Sequence, residues 1–186
     1  MKRKLYFGLG IVAVAATLPF VGGTPVLANL QQASTSIVKQ LMQPKVQLEL
    51  GAQKKVIALD AQGKEQVTWQ ALQGEVQVQP GDVLRYTLSS KNAGEKPAKE
   101  LVLTQPVPTK TTFVLDSARA NGAKLTFSID GGKTFVAKPM VAVKLPNGKE
   151  ELQPAPAAAY THVRWDYSES LAPMAAVNAT YEVTVQ

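Results

Sequence analysis

The stretch Val76–Gly94, VQVQPGDVLRYTLSSKNAG, decides the fold. Val76 and Val78 predict a strand that runs into a Pro80-Gly81-Asp82 turn. A second strand follows, in which Leu84, Tyr86 and Leu88 alternate with Val83, Arg85 and Thr87. It closes on the polar turn Lys91-Asn92-Ala93-Gly94. Period-two alternation describes a strand with one buried face, and Pro-Gly-Asp and Asn-x-Gly are turn chemistry.

Working outward, short strand signals recur in both directions. Upstream, Val46, Leu48 and Leu50 alternate, and Lys55 to Asp60 forms a second run, closed by the turn Ala61-Gln62-Gly63-Lys64. Val67-Thr68-Trp69 is a short third piece, with Trp69 expected to anchor the core. Downstream come Leu101-Val102-Leu103, stopped by Pro106-Val107-Pro108, and then Thr111 to Leu115. Lys124 to Asp130 should point Leu125, Phe127 and Ile129 inward and return through Asp130-Gly131-Gly132-Lys133 into Thr134-Phe135-Val136 as a hairpin. Val141 to Leu145 ends at the turn Asn147-Gly148, and Glu151 to Ala159 reads as an extended loop. Thr161 to Trp165 buries Val163 and Trp165 and leaves His162, Arg164 and Asp166 on the other face. Leu171-Ala172-Pro173 turns the chain into a last strand, Asn178 to Gln186. Many short strands without a long amphipathic helix predict an all-β fold, an antiparallel β-sandwich. Its expected core is Leu84, Tyr86, Leu88, Leu101, Leu103, Phe127, Ile129, Val163, Trp165, Tyr181 and Val183.

The first segment reads as an address. Met1-Lys2-Arg3-Lys4 is basic, Leu5 to Val21 is nearly all apolar, and Val26-Leu27-Ala28 suits signal peptidase. The expected signal peptide is 1–28, with cleavage between Ala28 and Asn29; the rival is an uncleaved membrane anchor, the one membrane association foreseen. Residues 29–44 read as a linker or short helix, and 45–186 as the sandwich. Both outcomes place the folded part outside the cytoplasm, secreted, periplasmic or at the cell surface. Asn178-Ala179-Thr180 reads as a chance tripeptide in a strand and not as a glycan acceptor.

Of 186 residues none is Cys and one is His, which excludes disulfides, thiolate nucleophiles and the usual zinc sites. The formal charge is +6, but without Lys2, Arg3 and Lys4 it falls to 17 basic against 14 acidic residues, or +3. These are scattered, so no basic stripe for nucleic acid exists. Asp82, Asp116, Asp130 and Asp166 lie near strand ends, where calcium sites gather oxygens, but no Asp-x-Asp spacing occurs and they read as turn or edge residues. No catalytic, metal or cofactor residue is assigned. His162 reads as a solvated surface histidine.

Several pieces, in order, resemble the immunoglobulin-like repeat called domain of unknown function eleven, common in bacterial surface proteins. They are Val78 to Asp82, Tyr86, Asn92-Ala93-Gly94, Pro97-Ala98, Pro106-Val107-Pro108, Thr112-Phe113-Val114, Ser128 to Lys133, Thr161 to Trp165 and Leu171-Ala172-Pro173. The resemblance covers about 75–186. The family usually has Asp where this chain has Gln105, and Gly where it has Met174. The resemblance implies an exported, non-catalytic module with a structural or protein-interaction role at the bacterial envelope, its partner an envelope protein or polysaccharide. The alternative is a module binding envelope polysaccharide or another ligand, with Trp69, Tyr160 and Trp165 stacking on it. A hydrolase would need two carboxylates facing across a cleft.

Overall fold

A computed structural model describes residues 44–73 and 77–186. The signal segment, Ala28 and Asn29, the linker up to residue 43, and Val76 lie outside the described residues. The described chain is an antiparallel β-sandwich, as its alternation predicts.

The strands are β1 (Val46–Leu59), β2 (Glu65–Ala71), β3 (Val83–Asn92), β4 (Val102–Pro106), β5 (Thr111–Phe113), β6 (Arg119–Ala120), β7 (Ala123–Ser128), β8 (Met140–Lys144), β9 (Glu150–Pro154), β10 (His162–Tyr167) and β11 (Ala176–Val185). One sheet has the order β2-β1-β3-β11-β5, with β6 also on β11; the other is β4-β10-β7; β8 and β9 form a separate hairpin. The chain crosses to the second sheet at β4, back to the first at β5 and β6, to the second again at β7, and returns to the first at β11, and the pair β4–β10 nests inside the pair β3–β11.

Strand β3 buries Leu84, Tyr86, Leu88, Ser90 and Asn92 and turns the alternate residues outward. Strand β11 answers with Ala179, Tyr181, Val183 and Val185. Tyr86 stacks on Tyr181 at 5.2 Å, and Trp165 of the facing sheet meets Tyr181 at 6.0 Å. Burial pushes the Tyr86 hydroxyl up to about 12 and drives Tyr181 higher still. Phe113, Phe127 and Tyr160 close one end, with ring centroids 5.1–5.6 Å apart. A fully buried side chain of this set, such as Phe113, contributes about 1.5–3 kcal/mol by burial.

Several expectations change. The two upstream runs are one strand, β1: its first nine residues pair with β3 and its last seven with β2. The polar break Gly51–Lys54 hides this in the side-chain pattern, but the ladder uses backbone groups and continues through it. Residues 45–72 therefore belong to the same sheet as β3. Residues 77–79 form no strand; Val78 is nonetheless buried, and Asp82 fixes the turn by accepting the Gln79 N–H at 2.7 Å. The return after Gly132 shrinks to a single bridge, Phe127 to Val136. Glu151–Ala159 is not a loop: Glu150–Pro154 pairs with β8, and Ala157–Ala159 is a 3-10 turn. Phe127 and Ile129 are half-buried, whereas Thr126 and Ser128 are buried. Thr126 and Ser128 sit opposite Arg164 and His162 on the outer face of the second sheet, where the Phe135 ring lies 3.6 Å from the Arg164 guanidinium and edge-on to His162.

Candidate functional site

The turn Asp60–Lys64 makes a hairpin of β1 and β2. The Asp60 carboxylate accepts the Gln62 and Lys64 N–H groups at 3.0 and 2.8 Å and the Gln66 side-chain amide at 3.1 Å. Those donors hold its carboxyl below the ordinary carboxylate range. Residues Lys55–Leu59 pair with β2 alone, so the hairpin runs on as an arm about 16 Å past the last β3 partner.

The registers Ile57↔Val67, Lys55↔Trp69 and Gln53↔Ala71 put these residues on one face, continuous with Arg85 of β3. On that face Ile57, Leu59 and Val67 are 56%, 69% and 50% exposed. Trp69 is the inner end of this stripe. It is not the core anchor expected of it: Arg85 lies 3.6 Å above its ring, and Arg85 Nη2 and Nε donate to Glu182 Oε1 at 2.7 and 3.1 Å. Trp69 lies on the outer face because its register, through Lys55 and Gln53, puts it on the side of Arg85, which β3 turns away from the core.

Beside this cluster an open groove of about 490 Å³ crosses the same outer face, lined by Arg85, Asp116, Ser117, Arg119, Thr180 and Glu182 among others. Both signs of charge meet in it, and Glu182 is already engaged by Arg85.

The three stacking aromatics are not brought together. Trp165 is 0% exposed in the core, Tyr160 packs between Phe113 and Phe127, and Trp69 sits on the arm-bearing sheet. The four aspartates are also dispersed among separate roles. Asp82 pairs with Lys54 at 2.6 Å. Asp130 accepts from the Thr134 hydroxyl and N–H, the Ser128 hydroxyl and the Lys133 N–H, which holds its carboxyl well below the usual range. Asp116 ends the β5 turn with φ +57, and Asp166 lies within β10. Among the described residues no group of three or more His, Asp or Glu could hold a metal ion.

His162 is half-buried, not a freely solvated surface group. Its ring lies 3.2–3.3 Å from where a Cβ on Gly132 would sit, so that position, with φ +85, demands glycine. Burial lowers the His162 pKa and the nearby Asp130 carboxylate opposes the shift; the net direction keeps it neutral near pH 7.

Among the described residues no helix is long and apolar enough to cross a membrane. No family model, curated protein or solved structure matches this chain.

Proposed function

We propose that this chain is an exported, non-catalytic immunoglobulin-like module with a structural or protein-interaction role at the bacterial cell envelope. The observation that carries the reading is the β1–β2 arm, with Ile57, Leu59 and Val67 side by side and exposed beyond the sandwich. A clustered apolar stripe on a projecting hairpin favours a macromolecular partner. The Met1–Ala28 pattern and the surface-repeat resemblance support export to the periplasm, cell surface or medium. The engagement of Asp82 by Lys54 and of Glu182 by Arg85 supports a passive mechanism, because neither carboxylate is free for acid–base work. An envelope protein suits the arm better than a glycan, because glycan stacking needs exposed aromatic faces and Trp165 and Tyr160 are committed to packing.

The test is export of the full chain in a bacterial host, with the mature N-terminus read by mass spectrometry. Capture from envelope extracts is then compared between the wild type and Ile57→Ser/Leu59→Ser. An N-terminus at Asn29 and arm-dependent capture are expected. A cytoplasmic chain, or capture indifferent to the arm, would overturn the reading.

A further inference from the structure

We propose that the arm's partner is a second copy of this chain, joined edge to edge through β2 about a two-fold axis at Thr68. This rests on the reading of the arm as an interaction surface and names its occupant.

A sheet edge presents unpaired N–H and C=O groups, and sandwiches blunt such edges with prolines, charges, short strands or covering segments. The other edges here carry those devices. Strand β4 ends in Pro106, β5 has three residues, and Val136 bridges onto β7. Strand β9 opens on two glutamates and ends in Pro154, and β8 follows Pro139 and ends in Lys144. Strand β2, EQVTWQA, has seven residues, no proline, no lysine and one charge. Its outer edge forms no ladder with any described residue.

The sequence of β2 is self-complementary. With the two-fold axis at Thr68, an antiparallel partner places Thr68 opposite Thr68, Val67 opposite Trp69, Gln66 opposite Gln70 and Glu65 opposite Ala71. No like charges meet, and each amide faces an amide. Aromatic and β-branched side chains sit directly across, a favoured pairing. Because β2 already pairs with β1, the row Ile57–Val67 of one copy runs into Trp69–Lys55 of the other, so the apolar stripes merge on one face. The opposite face gains a row of Val56, Thr68, Thr68 and Val56. The contact is isologous, so it closes as a dimer and leaves no repeating edge.

The chain has no cysteine, so a single introduced thiol is a clean probe. Directly opposed residues in an antiparallel pair have Cα atoms about 4.5–5.5 Å apart, within the range a disulfide accepts. The exported full chain carrying Thr68→Cys is expected to form a disulfide-linked dimer under mild oxidation. Gln70→Cys, which faces Gln66, is expected to stay unlinked. Thr68→Lys puts two ammonium groups face to face. It is expected to weaken self-association in sedimentation by about a hundredfold with an unchanged circular dichroism spectrum. Monomeric wild type at micromolar concentration, or equal cross-linking of Thr68→Cys and Gln70→Cys, would overturn self-pairing. A monomer whose arm still captures another envelope component, or which places its own residues 1–43 on the edge, would overturn self-pairing while leaving the interaction reading intact. Capture unaffected by Ile57→Ser/Leu59→Ser would overturn that reading itself.

Discussion

Replacing Asn92 by alanine should cost about 3 kcal/mol, because its side chain ties three separate segments together. It is 0% exposed at the end of β3. Its Oδ1 accepts the Lys45 and Gly94 N–H groups at 3.2 and 3.0 Å. Its Nδ2 donates to the Lys96 and Leu171 carbonyls at 2.7 and 3.0 Å. Leu171 O keeps a second donor, the Ala98 N–H at 2.8 Å, and water can reach the exposed Lys45 and Lys96 positions. The four bonds are therefore not all lost at full desolvation cost, and about 1 kcal/mol for each of two or three, plus lost packing, gives the figure. Asn92→Asp should be worse at neutral pH, since a carboxylate oxygen would face two carbonyls where an N–H₂ group now donates. Burial and those carbonyls would raise the new carboxyl's folded pKa above its unfolded value of about 4. The sign follows: this variant regains stability as pH falls from its raised folded pKa toward about 4, where the unfolded chain also takes up the proton. Urea denaturation of both variants, at neutral and mildly acidic pH, measures this. Asn92→Ala within about 0.5 kcal/mol of wild type would refute the reasoning, as would an Asn92→Asp penalty that does not shrink on acidification.

Met174 is 65% exposed with φ +61, a backbone region glycine occupies without strain, so Met174→Gly should stabilise by about 0.5–1 kcal/mol in thermal or chemical unfolding. Asp130 has a depressed folded pKa, so its contribution is fully present above the unfolded carboxylate value and is lost as pH falls through the folded one. Asp130→Asn should therefore be less stable than wild type at pH 7, and the gap should narrow in acid denaturation below about pH 4. Arg85→Ala removes the cover from Trp69 and the partner of Glu182; it should destabilise by about 1 kcal/mol and red-shift the tryptophan emission. The shift should vanish when Trp69→Phe is added, because Trp165 stays buried.

The sandwich was legible because β3, β10 and β11 alternate cleanly, and each buried set faces another in the core. The turns were legible for a local reason: Asp60, Asp82 and Asp130 bond to their own loops within a few residues. What alternation could not carry was pairing without pattern. Strand β1 keeps its ladder through Gly51–Lys54, and β9 is a strand through backbone pairing alone, with every side chain exposed. Trp69 misled because size and hydrophobicity suggest a core, and only the register of β2 on β1 and of β1 on β3 shows that it shares the outward face of Arg85. The arm had a signal in the sequence: Ile57, Leu59 and Val67 share a register face across the Asp60–Lys64 turn. That signal indicates exposure only once β1 is seen to outrun β3. Met174 holds a left-handed backbone, φ +61, that its sequence context does not announce, so the turn after Leu171-Ala172-Pro173 carries its strain on a residue with a side chain.

A photo-cross-linking residue placed at position 57 of the full chain, irradiated in cells that export it, asks whether this is an exported module that works through its arm. A light-dependent adduct in the envelope fraction is expected, of twice the chain's mass where the arm pairs with itself. Only unadducted chain in the envelope fraction, or a chain confined to the cytoplasm, would contradict it.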